Sequence, residues 1–192
     1  MQDFIEQARK NGVTLFDRGK CQFCGADYAK GIFDCMDNYH SGLALLDFNQ
    51  TENHLFRFLS VDAHALQHPE IHGRWSNHFH LTRLHLIMDK KQHWDYQTSP
   101  MLSDYLNAYK LNRPNERLVP PEPLERGLIT AYDLTKVTTA EACIGLIKSW
   151  ADEVYRAWAS QHALVSQIAE GFLMKNVRRD IINKVSTKPK RK

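Results

Sequence analysis

The amino-acid sequence predicts an all-α fold, and three observations carry that prediction. Leucine outnumbers valine 20 to 8. Apolar residues recur at spacings of three and four more often than they alternate with polar ones, which favours helices over strands. The 192 residues are 43% hydrophobic and 24% charged, which is typical of a globular domain rather than of a disordered, collagen-like or small disulfide-rich chain. We therefore expect a compact helical domain.

Five helices are expected in the first 112 residues. Their ranges are 2–10, 34–48, 55–67, 74–92 and 100–111. Asp34 can cap the second helix. Pro69 closes the third, because the residue before a proline avoids helical geometry. Pro100 suits the first turn of the fifth helix, where a missing N–H is no loss.

A proline-rich connector separates these helices from the longest one. Four prolines lie between Arg113 and Gly127, which argues against a helix or a central strand there. The segment from Thr138 to Glu141 then matches a capping box, and the apolar stripe after it predicts a core-forming helix of about thirty residues. The stripe consists of Cys143, Ile147, Trp150, Val154, Trp158, Val165, Ile168 and Phe172.

Three of the four cysteines lie close together near the N-terminus. Cys21 and Cys24 form a CxxCG turn, whose glycine lets the backbone reverse while both sulfurs face one ion. With Cys35 and His40 the spacing is C-x2-C-x10-C-x4-H, which supplies the ligands of a tetrahedral structural zinc site in a zinc-knuckle-like turn. The five-residue step to His40 exceeds one helical turn. A thioredoxin-like redox pair and a site without metal remain as alternatives.

Eight of the ten histidines lie between residues 54 and 93. His64 and His68 are one helical turn apart and can share a face. Ala65 stands where a zinc protease would have its general base, so the pair does not form that motif. His162, on the edge of the apolar stripe, is the candidate third ligand of a second metal or ligand site. The competing interpretation of these side chains is that of hydrogen-bonded core histidines.

Charge and the chain ends suggest the domain organisation. Residues 175–192 contain eight Lys or Arg and one Asp, a balance of +7, whereas residues 1–174 contain 17 basic and 21 acidic side chains, a balance of −4. We expect one helical metal-binding domain over 1–174 and a basic C-terminal extension over 175–192. No signal peptide and no membrane span are apparent. A cytoplasmic location with reduced thiols is therefore the expectation.

Several motifs together resemble an uncharacterised bacterial family. They are the CxxCG turn, Cys35, the run Val61-Asp-Ala-His-Ala-Leu-Gln-His-Pro69, and the pattern Trp150-Ala-x2-Val-x3-Trp-x3-His162. In this order, over roughly residues 19–170, they resemble domain-of-unknown-function family 5946. The family pattern has a histidine near the position of Arg57 and an aromatic at that of His64. The resemblance therefore favours His68 and His162 over His64, supports metal binding, and implies no reaction or substrate.

The sequence thus predicts a zinc-binding protein of unknown biochemical activity, with a ligand or metal pocket around His68 and His162. One alternative is a nucleic-acid-associated protein that uses the zinc-knuckle-like turn and the basic tail for phosphate contacts. The acidic body counts against that alternative. Another is a metal-dependent hydrolase, which would need an open coordination position. Packing of the tryptophan-bearing helix against a second copy would give a homodimer.

Overall fold

The computed structural model describes residues 2–186, with side chains for residues 3–176. This part of the chain contains eight α-helices and no β-strand, which confirms the predicted all-α class. The helices are α1 (Gln2–Lys10), α2 (Ile32–Asn38), α3 (His54–Gln67), α4 (Arg74–Met88), α5 (Thr98–Asn112), α6 (Ala131–Leu134), α7 (Ala140–Ala157) and α8 (His162–Ser186).

Helix α3 lies at the centre of the main core. It packs against α7 on one side and α4 on another, and α8 also packs against α4. The two tryptophans of the predicted stripe, Trp150 and Trp158, are fully buried here. Each can bury roughly 150–250 Å² of surface. The apolar stripe therefore does form a core, as its period predicts.

The predicted thirty-residue helix is interrupted. Helix α7 ends at Ala157, Trp158 leaves helical geometry at φ −86°, ψ 16°, and a short 3₁₀ turn leads into α8. The N-cap is Thr139, whose hydroxyl accepts the Ala142 N–H at 3.2 Å, one residue later than the predicted capping box. No proline or glycine marks the interruption, so the local pattern did not reveal it.

The N-terminal cap, residues 2–38, packs against the start of the connection between α3 and α4. Phe4 and Ala8 of α1 join a small apolar cluster with Ile71. Asn11, just after α1, donates to the carbonyls of Glu70 at 2.7 Å and His72 at 3.1 Å. The expected helix 34–48 is only the seven-residue α2, followed by a 3₁₀ turn at Ser41–Leu43. The helices of the cap, α1 and α2, are therefore both short.

The proline-rich connector has no helix before α6 and is held by polar contacts. Arg126 is almost fully buried. Its guanidinium donates to both carboxylate oxygens of Glu70, at 2.5 and 2.8 Å, and to the carbonyls of Gln67 and Pro121. Charge-assisted bonds of this kind fix a segment that has no regular backbone pairing.

The C-terminal helix runs from His162 to Ser186, so the expected boundary at residue 174 falls within it. The division into a domain and a basic extension remains a prediction, and residues 187–192 lie outside the described residues. Within residues 2–186, no helix combines the length and apolar character that crossing a bilayer requires.

Candidate metal centre

The CxxCG turn places the first two cysteines. The Cys21 amide donates to the Ala26 carbonyl, and the Gly25 amide donates to the Cys21 carbonyl, both at 2.9 Å. Gly25 has φ +77°, a left-handed conformation that a residue with a β-carbon adopts only under strain. The turn closes on itself, and both sulfurs face the interior.

Helix α2 supplies the third cysteine. One carboxylate oxygen of Asp34 accepts the Lys30 N–H at 2.9 Å, just before the helix. Gly31, at φ +57°, lies so close to Phe16 that an added β-carbon would be 2.6 Å from the Phe16 carbonyl oxygen. This tight turn directs α2 inward, so that Cys35 lies within the cap with no exposed surface.

The fourth donor comes from the end of α3. His68 Nδ1 lies 2.6 Å from the His64 carbonyl oxygen, which can only accept, so Nδ1 carries the proton of this bond. The other ring nitrogen, Nε2, lies 3.5 Å from both Cys21 Sγ and Cys35 Sγ. A backbone carbonyl that holds one ring nitrogen and leaves the other for a ligand is the usual arrangement of metal-binding histidines.

The four donor atoms have the spacing of a tetrahedral site. The sulfurs of Cys21, Cys24 and Cys35 and the ring nitrogen of His68 all lie within 4.8 Å of one another, and Cys24 Sγ is 3.7 Å from Cys35 Sγ. Zinc bond lengths and tetrahedral angles give sulfur–sulfur edges of about 3.8 Å and sulfur–nitrogen edges of about 3.6 Å. The three distances of 3.5, 3.5 and 3.7 Å are close to those edges, so the residues present fit a metal ion.

The four residues of the group are buried. Cys21 is 1% exposed, Cys24 7%, and Cys35 and His68 0%. With four protein donors around one centre, no coordination position is left for water or substrate. Such closure is typical of structural sites rather than catalytic ones.

The residues of the cluster shift one another's pKa values. Hydrogen bonds with Cys24 and Cys35 lower the pKa of Cys21 below the ordinary thiol value. The same bond to Cys21, together with burial, raises the pKa of Cys35. Burial by itself disfavours a charged His68, but the Cys24 and Cys21 sulfurs outweigh it and raise the pKa of that imidazole. The thiolate form is therefore favoured at Cys21, next to a His68 imidazole whose protonated form is favoured.

Hydrogen bonds from other parts of the chain hold the end of α3, next to His68, in position. Gln67 donates its amide to the Arg126 and Ile129 carbonyls, and its amide oxygen accepts the Trp150 indole N–H at 3.0 Å. Trp158 donates its indole N–H to the Leu66 carbonyl at 3.2 Å. The Gln-His-Pro element and both tryptophans thus meet immediately beside the metal centre, which the sequence pattern alone did not show.

The structure places His40 outside this group. Helix α2 ends at Asn38, and five residues beyond Cys35 correspond to about 140° around a helix axis. His40 is exposed, while its neighbour Tyr39 is buried. His68, expected in a second site, lies where the spacing predicted His40.

The structure does not bring His64, His68 and His162 together as one site. His64 Nε2 lies 3.9 Å from Cys35 Sγ, and its ring stacks on Tyr39 with centroids 4.3 Å apart. Burial lowers the pKa of His64 well below its ordinary value. The imidazole is therefore neutral and borders the sulfur cluster.

His162 lies near the end of α7 instead. Its Nε2 is 2.9 Å from the Tyr155 carbonyl oxygen, which also accepts the Trp158 N–H at 3.2 Å where α7 ends. Its ring stacks on Tyr155 at 4.0 Å and lies 6.0 Å from that of His85.

The fourth cysteine, Cys143, lies in the helical core rather than near the other three. Its thiol contacts the Gly42 carbonyl oxygen, and burial raises the pKa of that thiol.

Comparisons with known proteins bear on the family alone. No curated protein and no solved structure matches the chain significantly. One family model matches residues 19–159, a range that runs from the CxxCG turn to the end of α7 and so includes all four donors of the candidate metal centre. The chain therefore belongs to the family of unknown function DUF5946.

Proposed function

We propose that the protein binds one zinc ion through Cys21, Cys24, Cys35 and His68, and that the ion fastens the N-terminal cap to the helical core. The observation that carries the proposal is the mutual approach of these four donor atoms within 4.8 Å. Three donors belong to the cap and the fourth to α3, so one ion would cross-link the two regions.

The donor set favours zinc among the divalent metals. Thiolate and imidazole suit zinc in a tetrahedral arrangement, whereas magnesium and calcium require oxygen donors. Closure by four protein ligands supports a structural ion rather than a Lewis acid that activates water. The metal-dependent hydrolase alternative would need an open position that this donor set does not provide.

The metal content of matched histidine variants tests the proposal. Elemental analysis of the purified full-length protein should find one zinc per chain. The variant His68→Ala should lose most of it, because three thiolates alone leave the ion open to exchange. His40→Ala should retain one equivalent, since His40 is exposed and away from the sulfurs.

Cobalt substitution provides a second readout that is independent of yield. Co²⁺ bound by three thiolates and one imidazole should give strong visible absorption typical of a tetrahedral site. His68→Ala should change those bands, and His64→Gln should leave the coordination unchanged. A protein without metal, or equal loss in His40→Ala and His68→Ala, would contradict the proposed ligand set.

A further inference from the structure

A surface cleft reaches the candidate metal centre from one side. Its volume is about 410 Å³, and Cys24 is the one cysteine in its lining, beside Gly25 and Leu124. Cys24 is 7% exposed, whereas Cys21 and Cys35 are 1% and 0% exposed. A small molecule that enters the cleft from solvent would therefore meet Cys24 before the other two cysteines.

A second sulfur lies directly behind that entry point. Cys35 Sγ is 3.7 Å from Cys24 Sγ, in van der Waals contact, and belongs to a different segment of the cap. Any oxidised form of Cys24 would have a thiol partner within reach. This arrangement pairs the cysteine that lines the cleft with a second one that can resolve its oxidised form.

We propose that Cys24 is an oxidation site at which a peroxide converts Cys24 and Cys35 into a disulfide and so releases the bound metal ion. The inference rests on the zinc site proposed above. It adds sensitivity to oxidation to the four proposed zinc ligands, which a purely structural zinc site does not require.

The chemistry balances with hydrogen peroxide as oxidant. The Cys24 thiolate attacks one peroxide oxygen, the O–O bond breaks, and the departing hydroxide takes a proton from solvent to form water. The resulting sulfenic acid is attacked by the Cys35 thiolate, so an S–S bond forms and the S–O bond breaks. A second hydroxide leaves and is protonated. Two thiolates lose two electrons, peroxide gains two, and the metal keeps only Cys21 and His68.

The cleft favours an uncharged oxidant. The charged side chains in its lining are Lys20, Lys136, Asp27 and Asp133, two of each sign. Lys136 already pairs with Asp133 at 2.9 Å. Because the wall is neutral overall, it has no steering charge for an anionic reagent, and the cleft is large enough to admit uncharged hydrogen peroxide.

Peroxide treatment of the zinc-loaded full-length protein tests the proposal. Released metal would be followed with a chromogenic chelator, and the remaining thiols by alkylation and mass spectrometry. The expected result is one zinc released per Cys24–Cys35 disulfide formed, with Cys21 and Cys143 still alkylatable. Buried Cys143 is the internal control. A Cys21–Cys24 disulfide, or oxidation of Cys143 before Cys24, would overturn the proposal.

Two leucine variants test whether peroxide reaches Cys24 through the cleft. Leu124 lies against Gly25, with a side-chain carbon 3.4 Å from the position of an added β-carbon. Leu124→Ala should open the cleft and speed disulfide formation at least about threefold, since reactivity follows access to the thiolate. Leu111→Ala, at an exposed leucine outside the cleft, should leave the rate unchanged. Equal rates in both variants would contradict the route.

Failure of the zinc site and failure of this inference give different results. Zinc that stays bound while all thiols resist peroxide overturns the oxidation site and leaves the zinc site standing. A protein that takes up no zinc overturns the proposed function. In that case the alkylation pattern still decides whether Cys24 is oxidised first.

Discussion

The helical core and the N-terminal cap are held together by different means. The buried cluster of the core is built from leucines, tryptophans and other large apolar side chains on α3, α4 and α7. Within the described residues, the buried cluster of the cap has nine members, and three of them are the cysteines of the candidate metal centre. The other six are Phe4, Ala8, Phe23, Ala26, Ile32 and Ile71, so fewer large apolar side chains support the cap than the core.

This difference implies that the two regions depend on different interactions. Burial of large side chains contributes roughly 1.5–3 kcal/mol for each, so the core needs no metal. The cap consists of turns, a nine-residue helix and a seven-residue helix, lengths that are marginal without tertiary support. We therefore expect the metal to determine whether the cap is folded and the core to determine the global stability.

The largest effect should follow from removing a metal ligand. Cys35→Ser should abolish stable zinc binding and remove hydrogen-exchange protection from the amides of residues 19–38, while those of α3 and α7 stay protected. Cys143→Ser is the matched control, because it changes a buried cysteine of the core and should keep the metal. Unfolding of the whole chain in Cys35→Ser would contradict the separation of the two regions.

A substitution in the core should lower the global stability of the protein. Trp150→Ala should lower the free energy of unfolding by about 3–5 kcal/mol through a cavity, and it also removes the partner of the Gln67 amide oxygen. Urea unfolding measures the loss. Trp150→Phe keeps an aromatic ring and should cost less. A loss below about 1 kcal/mol for the alanine variant would show that α7 does not support the core as described.

A pH dependence should arise where cap and core meet. Burial lowers the pKa of His72 to about 3, below the ordinary value of about 6.5 for an unfolded chain. Between these values the unfolded state binds a proton that the folded state does not, so stability is full above pH 6.5 and falls as the pH is lowered. From pH 7 to pH 5 this histidine should cost about 2 kcal/mol.

Urea unfolding of the wild type and His72→Gln at both pH values isolates that contribution. Acid-induced metal loss is common to both proteins, so it cancels in the comparison. The variant should lose about 2 kcal/mol less than the wild type between pH 7 and pH 5. Equal losses would mean that His72 is accessible to protons in the folded protein.

The smallest effect is expected at the start of α7. Thr139→Ala removes the hydroxyl that accepts the Ala142 N–H and should cost about 1 kcal/mol, as other N-cap losses do. Its neighbour Thr138 is exposed, and Thr138→Ala should change stability by less than half as much. Both variants should keep their metal. A larger loss in Thr138→Ala would indicate that the sequence-predicted capping box, not Thr139, caps the helix.

Local patterns in the sequence predicted α1, α3, α4 and α5 and the cysteine cluster, because periodicity, caps and CxxC spacing act over a few residues. The structure assigns the imidazole beside those sulfurs to His68 rather than His40, and that choice depends on how α3 packs against the cap. Cys21 and His68 are 47 residues apart, and no local sequence motif indicates a contact over that separation. The interruption at Trp158 likewise has no local marker in the sequence, and the indole of Trp158 donates to the carbonyl of Leu66 in a distant segment.

X-ray absorption spectroscopy at the zinc edge, on the purified full-length protein and on the His68→Ala and His40→Ala variants, identifies the atoms that bind the ion. We expect three sulfur neighbours at about 2.3 Å and one nitrogen at about 2.0–2.1 Å in the wild type. In His68→Ala the nitrogen should be lost or replaced by oxygen, while His40→Ala should give the wild-type spectrum. A wild-type spectrum without sulfur neighbours, or loss of the nitrogen in His40→Ala, would contradict the proposed ligands.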